Sequence, residues 1–157
     1  MTLATQTLYD WLRFLHVLAA MVWVGGGVML AVTAARVLRD RDPAAVGRFT
    51  GSLRVLGPRV LAPATVAVLG LGIGLVVESD AWDFGQLWVQ LGLGLFVAAF
   101  LVGAVWQSRT AFAATRAAAR NDDAEARRQL RRWLWGYGLI VLLLVVAVWD
   151  MTTKPAL

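Results

Sequence analysis

The stretch WLRFLHVLAAMVWVGGGVMLAVTAA, residues 11–35, decides the fold. As a helix it is about 37 Å long at 1.5 Å rise per residue, more than the ~30 Å hydrocarbon core of a bilayer. It is apolar throughout except for Arg13, His16 and Thr33. An arginine and the chain's only histidine, one helical turn apart near the end of a membrane span, call for a physical reason.

Three further apolar runs, 60–77, 87–106 and 133–149, are also long enough to cross. Hydrophobic residues make up 59% of the 157, and the mean hydropathy is +0.66, beyond what a soluble globule carries. These features predict an all-α, polytopic membrane protein, a single domain over 1–157 folded as a four-transmembrane-helix bundle. The first ten residues hold no Lys or Arg, and the run behind them is too long for a signal-peptide core, so no cleaved secretory signal is expected. The lack of cysteine excludes disulfides, thiolate metal sites and thioether-linked haem. Fourteen of the fifteen basic residues are arginine and alanine is abundant, which points to a high-GC bacterial genome and hence to the bacterial cytoplasmic (inner) membrane.

The net charge of +5 is segregated. Arg36, Arg39, Arg41, Arg48, Arg54 and Arg59 lie between spans one and two, and seven more arginines, from Arg109 to Arg132, between spans three and four. This is the positive-inside pattern, with both termini outside and both long loops in the cytoplasm. It argues against a nucleic-acid partner and for anionic lipid headgroups at the arginine-rich loops. Tryptophan marks the interfaces independently: Trp11, Trp82, Trp88 and Trp149 at the outer belt, Trp106, Trp133 and Trp135 at the inner one. Only Trp23 is left near mid-membrane.

In the first cytoplasmic loop, Asp42 followed by Pro43 starts a helix. Val46, Phe49, Leu53 and Leu56 then recur at helical spacing, predicting a short interfacial helix in the inner headgroup layer, despite Gly47 and Gly51. The second loop continues span three as helix-forming SRTAFAATRAAAR. Asn121 ends it, and Asp122 with Glu125 caps the next helix, giving an extended cytoplasmic hairpin between helices three and four. Its basic residues read as a solvated, lipid-facing cluster. Gly70 and Gly74 form a GxxxG pair for close helix approach, and Gly25–Gly27 allow either close packing or a large flat ligand.

Each span carries one polar side chain near its outer end: His16, Glu78, Gln90 and Asp150. Such groups cost roughly 2.5 kcal/mol or more at the membrane centre and face the bundle interior. Arg13, His16, Trp23 and Gly27 share one face of the first helix, and Glu78 shares the Gly70–Gly74 face of the second. A polar chamber beneath the outer surface follows, with Arg13 or Lys154 as the cation beside Glu78. The plainest role is a register-fixing network, with Arg13 paired to Glu78 or Asp150 and His16 bonded to a carbonyl or carboxylate. The functional alternatives are a divalent metal ion held by His16, Glu78 and Asp150, or haem b bound axially by His16, with Arg13, Trp23 and Gly27 lining it.

The segment RFLHVLAAMVWVGGG resembles the first-helix signature of bacterial membrane proteins related to copper-resistance protein D (CopD) and to HemJ-type protoporphyrinogen oxidases. With GPRVLAPA, the W-x-F-G-x-L-W pattern and DMTTKP, the whole chain resembles an uncharacterised bacterial family of four-helix integral membrane proteins in that broad group. The HemJ-type resemblance implies haem on a first-helix histidine, here His16; that type also uses a lysine in a later helix, whereas Lys154 lies beyond the last span. The copper-resistance resemblance implies copper handling, although this chain has half that family's usual helix count. Three function classes remain: a haem- or metal-binding redox protein, a proton- or cation-coupled transporter subunit, and a non-catalytic assembly subunit of a membrane complex. Four spans are few for a transporter alone, so a homo- or hetero-oligomer is expected.

Overall fold

The computed structural model describes the backbone of residues 3–40, 42 and 44–154 and the side chains from Leu8 onward within them. Helix α1 spans Leu3–Arg39. Helix α2 (Ala44–Leu56), a π-helical turn (Gly57–Leu61) and α3 (Ala62–Val77) follow as one rod. Helix α4 (Leu87–Leu101), a second π-helical turn (Val102–Gln107) and α5 (Ser108–Ala119) form another, and α6 runs over Asp123–Thr153. All four rods are long and apolar enough to cross a membrane, and there is no strand among the described residues. This is the expected all-helical, four-span bundle.

The first π-helical turn contains Pro58, which lacks an N–H and crowds the carbonyl of the preceding turn. The wider turn lets the rod continue past the proline. Helix α2 is therefore continuous with span two. Its apolar face does not lie in headgroups: Ala45, Val46, Phe49 and Thr50 are buried, packed on α5 and α6. Gly47, a weak helix former, faces the Ala118 methyl, where a Cβ would lie 3.8 Å from it.

Asp42 starts this helix as its sequence indicates. Its Oδ1 accepts from Ala44 N–H at 2.9 Å and its carbonyl from Ala45 N–H at 3.2 Å; Pro43 falls outside the described residues. Arg48 donates to Asp42 Oδ2 at 2.5 Å. That bond, together with the Ala44 N–H, holds the Asp42 carboxyl below the usual range. The hairpin tip also forms as expected. Asn121 takes a left-handed conformation at φ 56°, and the Asp122 side chain accepts from Glu125 N–H at 3.0 Å.

Helix α1 packs on α3, and α6 packs on both α4 and α5, while α1 and α6 join the two halves. Leu30, Ala34, Val46, Phe49, Ala117, Ala126, Leu130, Trp133, Tyr137 and Ile140 form the buried core. Almost all of it lies in the half of the molecule nearer the arginine-rich loops; the opposite half, toward the chain termini, is here called the terminal end. Trp133 belongs to this core rather than to the interfacial belt. It is 5% exposed, stacked on Tyr137 and edge-on to Phe49, each at 5.9 Å. Its positions relative to Leu130 and Tyr137 put it on the inward stripe of α6, whereas Trp135, two residues on, is 81% exposed.

One arginine of the loop cluster is not solvated. Arg127 has a side chain only 15% exposed, bonded to Asp123 at 2.7 Å. It donates to the carbonyls of Asp40 at 2.8 Å and Asp42 at 3.1 Å, and more distantly to those of Val37 and Leu38. Val37, Leu38 and Asp40 sit at the C-terminus of α1, where the last carbonyls lack helical partners and the dipole is negative, and Asp42 starts α2. Arg127 thus caps α1 from α6.

Candidate functional site

His16 sits on α1 facing α3. A Cβ on Gly72 would lie 3.1 Å from His16 Cε1 and 3.5 Å from Nδ1, so the imidazole occupies the notch that this glycine leaves. The ring also lies beside the Val68 carbonyl, one turn earlier on α3. Nδ1 is buried and makes no hydrogen bond among the described residues. Gly74, the next small residue on α3, meets Leu12 at 3.6 Å, while Gly70 has nothing within 4 Å. The close helix face is therefore Gly72 and Gly74 rather than the Gly70–Gly74 pair: His16 and Leu12, one turn apart on α1, interlock with alternate glycines.

Asp150 lies near the other end of the chain, on α6. It is 1% exposed, and neither carboxylate oxygen has a hydrogen-bond partner among the described residues. Its Oδ2 lies 3.4 Å from where a Cβ on Gly92 of α4 would be. The nearby cation is committed elsewhere. Lys154, in a left-handed conformation at φ 42°, closes α6 with its N–H on the Asp150 carbonyl, and its Nζ sits 3.7 Å over the Trp82 ring.

Arg13 does not enter a chamber. It bonds Asp10 on its own helix at 3.1 Å, and both side chains are more than 60% exposed. A guanidinium at a rod end reaches water more cheaply than it pairs inside. Glu78, at the C-terminus of α3, forms no ion pair among the described residues, so the expected Arg13 or Lys154 partner is absent. Gln90 turns back to the loop, donating to the Phe84 carbonyl at 3.0 Å. No three His, Asp or Glu side chains among the described residues come close enough to hold a metal ion.

Trp23 packs against Phe96 of α4, ring centroids 5.7 Å apart. Gly27 is covered by Tyr137, whose ring a Cβ there would overlap and whose hydroxyl donates to the Val24 carbonyl at 3.2 Å. The glycine triplet therefore serves helix packing at this position. Gln107 was not singled out by its sequence context. It is buried in the second π-helical turn with neither amide atom bonded; a helix widened at that point would have been the only signal, and no proline there announces it.

Comparison with known families finds a match over residues 10–155 to a family described as a predicted integral membrane protein (DUF2269). No curated protein and no solved structure matches the chain.

Proposed function

Because the chain belongs to this family of predicted integral membrane proteins, we propose a function exercised within the bilayer: binding of haem or a metal ion through His16, in a redox or metal-handling role. The single observation that carries this reading is the buried, unpartnered Nδ1 of His16 in the Gly72 notch. A buried polar atom without a partner calls for an explanation. A metal-ligating histidine usually donates its other ring N–H to a carbonyl or carboxylate, and the Val68 carbonyl lies beside this ring.

The donor set narrows the form of the ligand. His16 is the chain's only imidazole, and no three His, Asp or Glu side chains among the described residues gather as metal ligands. The residues therefore fit an ion that takes one protein ligand from this chain, as haem iron does, with any second histidine coming from another copy. Gly27 is taken by Tyr137 and does not line that site. The first-helix likeness to the HemJ-type and copper-resistance groups belongs to this reading, as does an inner-membrane placement with both termini outside. When bound, such a group would supply one-electron or Lewis-acid chemistry.

Protein purified after expression with ample haem and metals is expected to show a Soret band or stoichiometric metal. His16→Ala should lose it while far-ultraviolet circular dichroism stays helical. Wild-type protein that carries neither sinks the reading. A second reading, proton or cation handling, is favoured by Asp150, a buried carboxylate with no hydrogen-bond partner among the described residues. It predicts ion or proton flux in proteoliposomes, abolished by Asp150→Asn. Absence of both signals leaves a non-catalytic assembly subunit.

A further inference from the structure

At the terminal end, away from His16 and Asp150, a cavity of about 310 Å³ opens between the start of α1 and the α3–α4 loop, lined by Tyr9, Ser79, Asp80, Ala81 and Trp82. Two of its walls are aromatic and one is a carboxylate that forms no ion pair among the described residues. The cations nearby are already engaged. Arg13 is bonded to Asp10 and lies 6.0 Å from the Tyr9 ring centroid, and Lys154 lies over Trp82.

We propose that this cavity binds a small alkylammonium group, primary or quaternary, through the Tyr9 and Trp82 rings and the Asp80 carboxylate. The negative face of an aromatic ring attracts a cation, most strongly for tryptophan and for weakly hydrated organic ammonium groups. The Lys154 ammonium already sits 3.7 Å from the Trp82 centroid and 5.5 Å from that of Trp88, so Trp82 attracts an ammonium and a bound ligand would take the place of Lys154 on that ring. A bare metal ion would need several oxygen ligands, and Asp80 supplies the only carboxylate in the lining. Asp80 places a negative charge in the lining, which favours a cation over an anion. The walls are held in place beforehand. The Ser79 hydroxyl accepts from Ala81 N–H at 3.2 Å, Gln86 donates to the Ala81 carbonyl at 3.1 Å, and Trp82 stands edge-on to Trp88 at 5.1 Å. At the depth where Trp82 and Trp88 mark a membrane interface, the ammonium belongs either to a phospholipid headgroup or to a free amine, and the chemistry is the same.

The test uses the full chain in nanodiscs of phosphatidylglycerol, which has no ammonium, titrated calorimetrically with choline chloride or ethanolamine hydrochloride against equal potassium chloride. Saturable binding is expected, weakened at least tenfold by Asp80→Asn, an exposed loop change that leaves the helices intact, and by Trp82→Leu. A second arm uses nanodiscs of mixed phosphatidylethanolamine and phosphatidylglycerol, with retained lipid counted by native mass spectrometry. Preferential retention of phosphatidylethanolamine that blocks choline binding identifies the headgroup as the source; choline binding unaffected by the lipid identifies a free amine. No saturable choline or ethanolamine binding together with no lipid preference overturns the proposal, as does binding that survives both substitutions unchanged.

Discussion

At the scale of single residues, the side chains that matter most for stability are those whose hydrogen bonds cannot be replaced by water. Arg127 holds the carbonyls of Asp40 and Asp42, between α1 and α2, from a mostly buried position. Arg127→Ala should lower stability by about 2–3 kcal/mol, since bonds to charged donors contribute more than neutral ones. Arg127→Lys should recover only part, because an ammonium cannot span the same fork of acceptors. Thermal unfolding in detergent measures both; an unchanged midpoint for the alanine variant would remove the cap from the account. Asp42 provides a pH test. Its folded carboxyl lies below its unfolded value, so the start of α2 gains stability above the ordinary aspartate range and loses it as pH falls through the depressed folded value. The protection of the Ala44 amide, relative to its intrinsic exchange rate, should fall on acidification, and Asp42→Asn should abolish that dependence. The sequence made Asp42 legible because a cap is a local pattern. Arg127 was not, because its acceptors lie more than eighty residues away.

Between helices, one device recurs. A glycine bares the carbonyl of the preceding turn, and a side chain from the neighbouring rod fills the notch: Tyr137 at Gly27, His16 at Gly72, and Trp106 at Gly136, where the indole donates to the Arg132 carbonyl at 3.1 Å. Gly27→Ala should therefore cost about 1–3 kcal/mol by overpacking. Tyr137→Phe removes the overlapping hydroxyl, so the double variant should lose less than the sum of the two singles. Gly94→Ala, with nothing within 4 Å, should be neutral or stabilising by up to ~1 kcal/mol. Equal losses at Gly27 and Gly94 would refute the notch. Glycine frequency was visible in the sequence, and so were the rods that carry it. Which glycines are filled depends on rotation about each rod, and a nearly uniform apolar composition leaves that rotation unmarked. Gly72 rather than Gly70 is the consequence.

For the whole molecule, the four spans and the hairpin were legible because hydrophobic length and capping are chain-local, whereas the polar chamber was not, since it required side chains from four helices to converge. The charge asymmetry still predicts orientation: cysteines placed at Ala44 and Ala124 should react in intact cells only with membrane-permeant reagents. Labelling by an impermeant reagent would invert the topology. The packing is also lopsided, with nearly all of the buried core toward the arginine-rich loops. Mechanically, that core is a fulcrum and the terminal halves of the rods are lever arms. Asp150 stands ~20 Å along α6 from Tyr137, so a tilt of a few degrees at the fulcrum displaces it by an ångström or more. His16 and Asp150 ride on opposite arms, one clasped to α3 and the other to α4. A pivot about that core would therefore change the separation of His16 and Asp150.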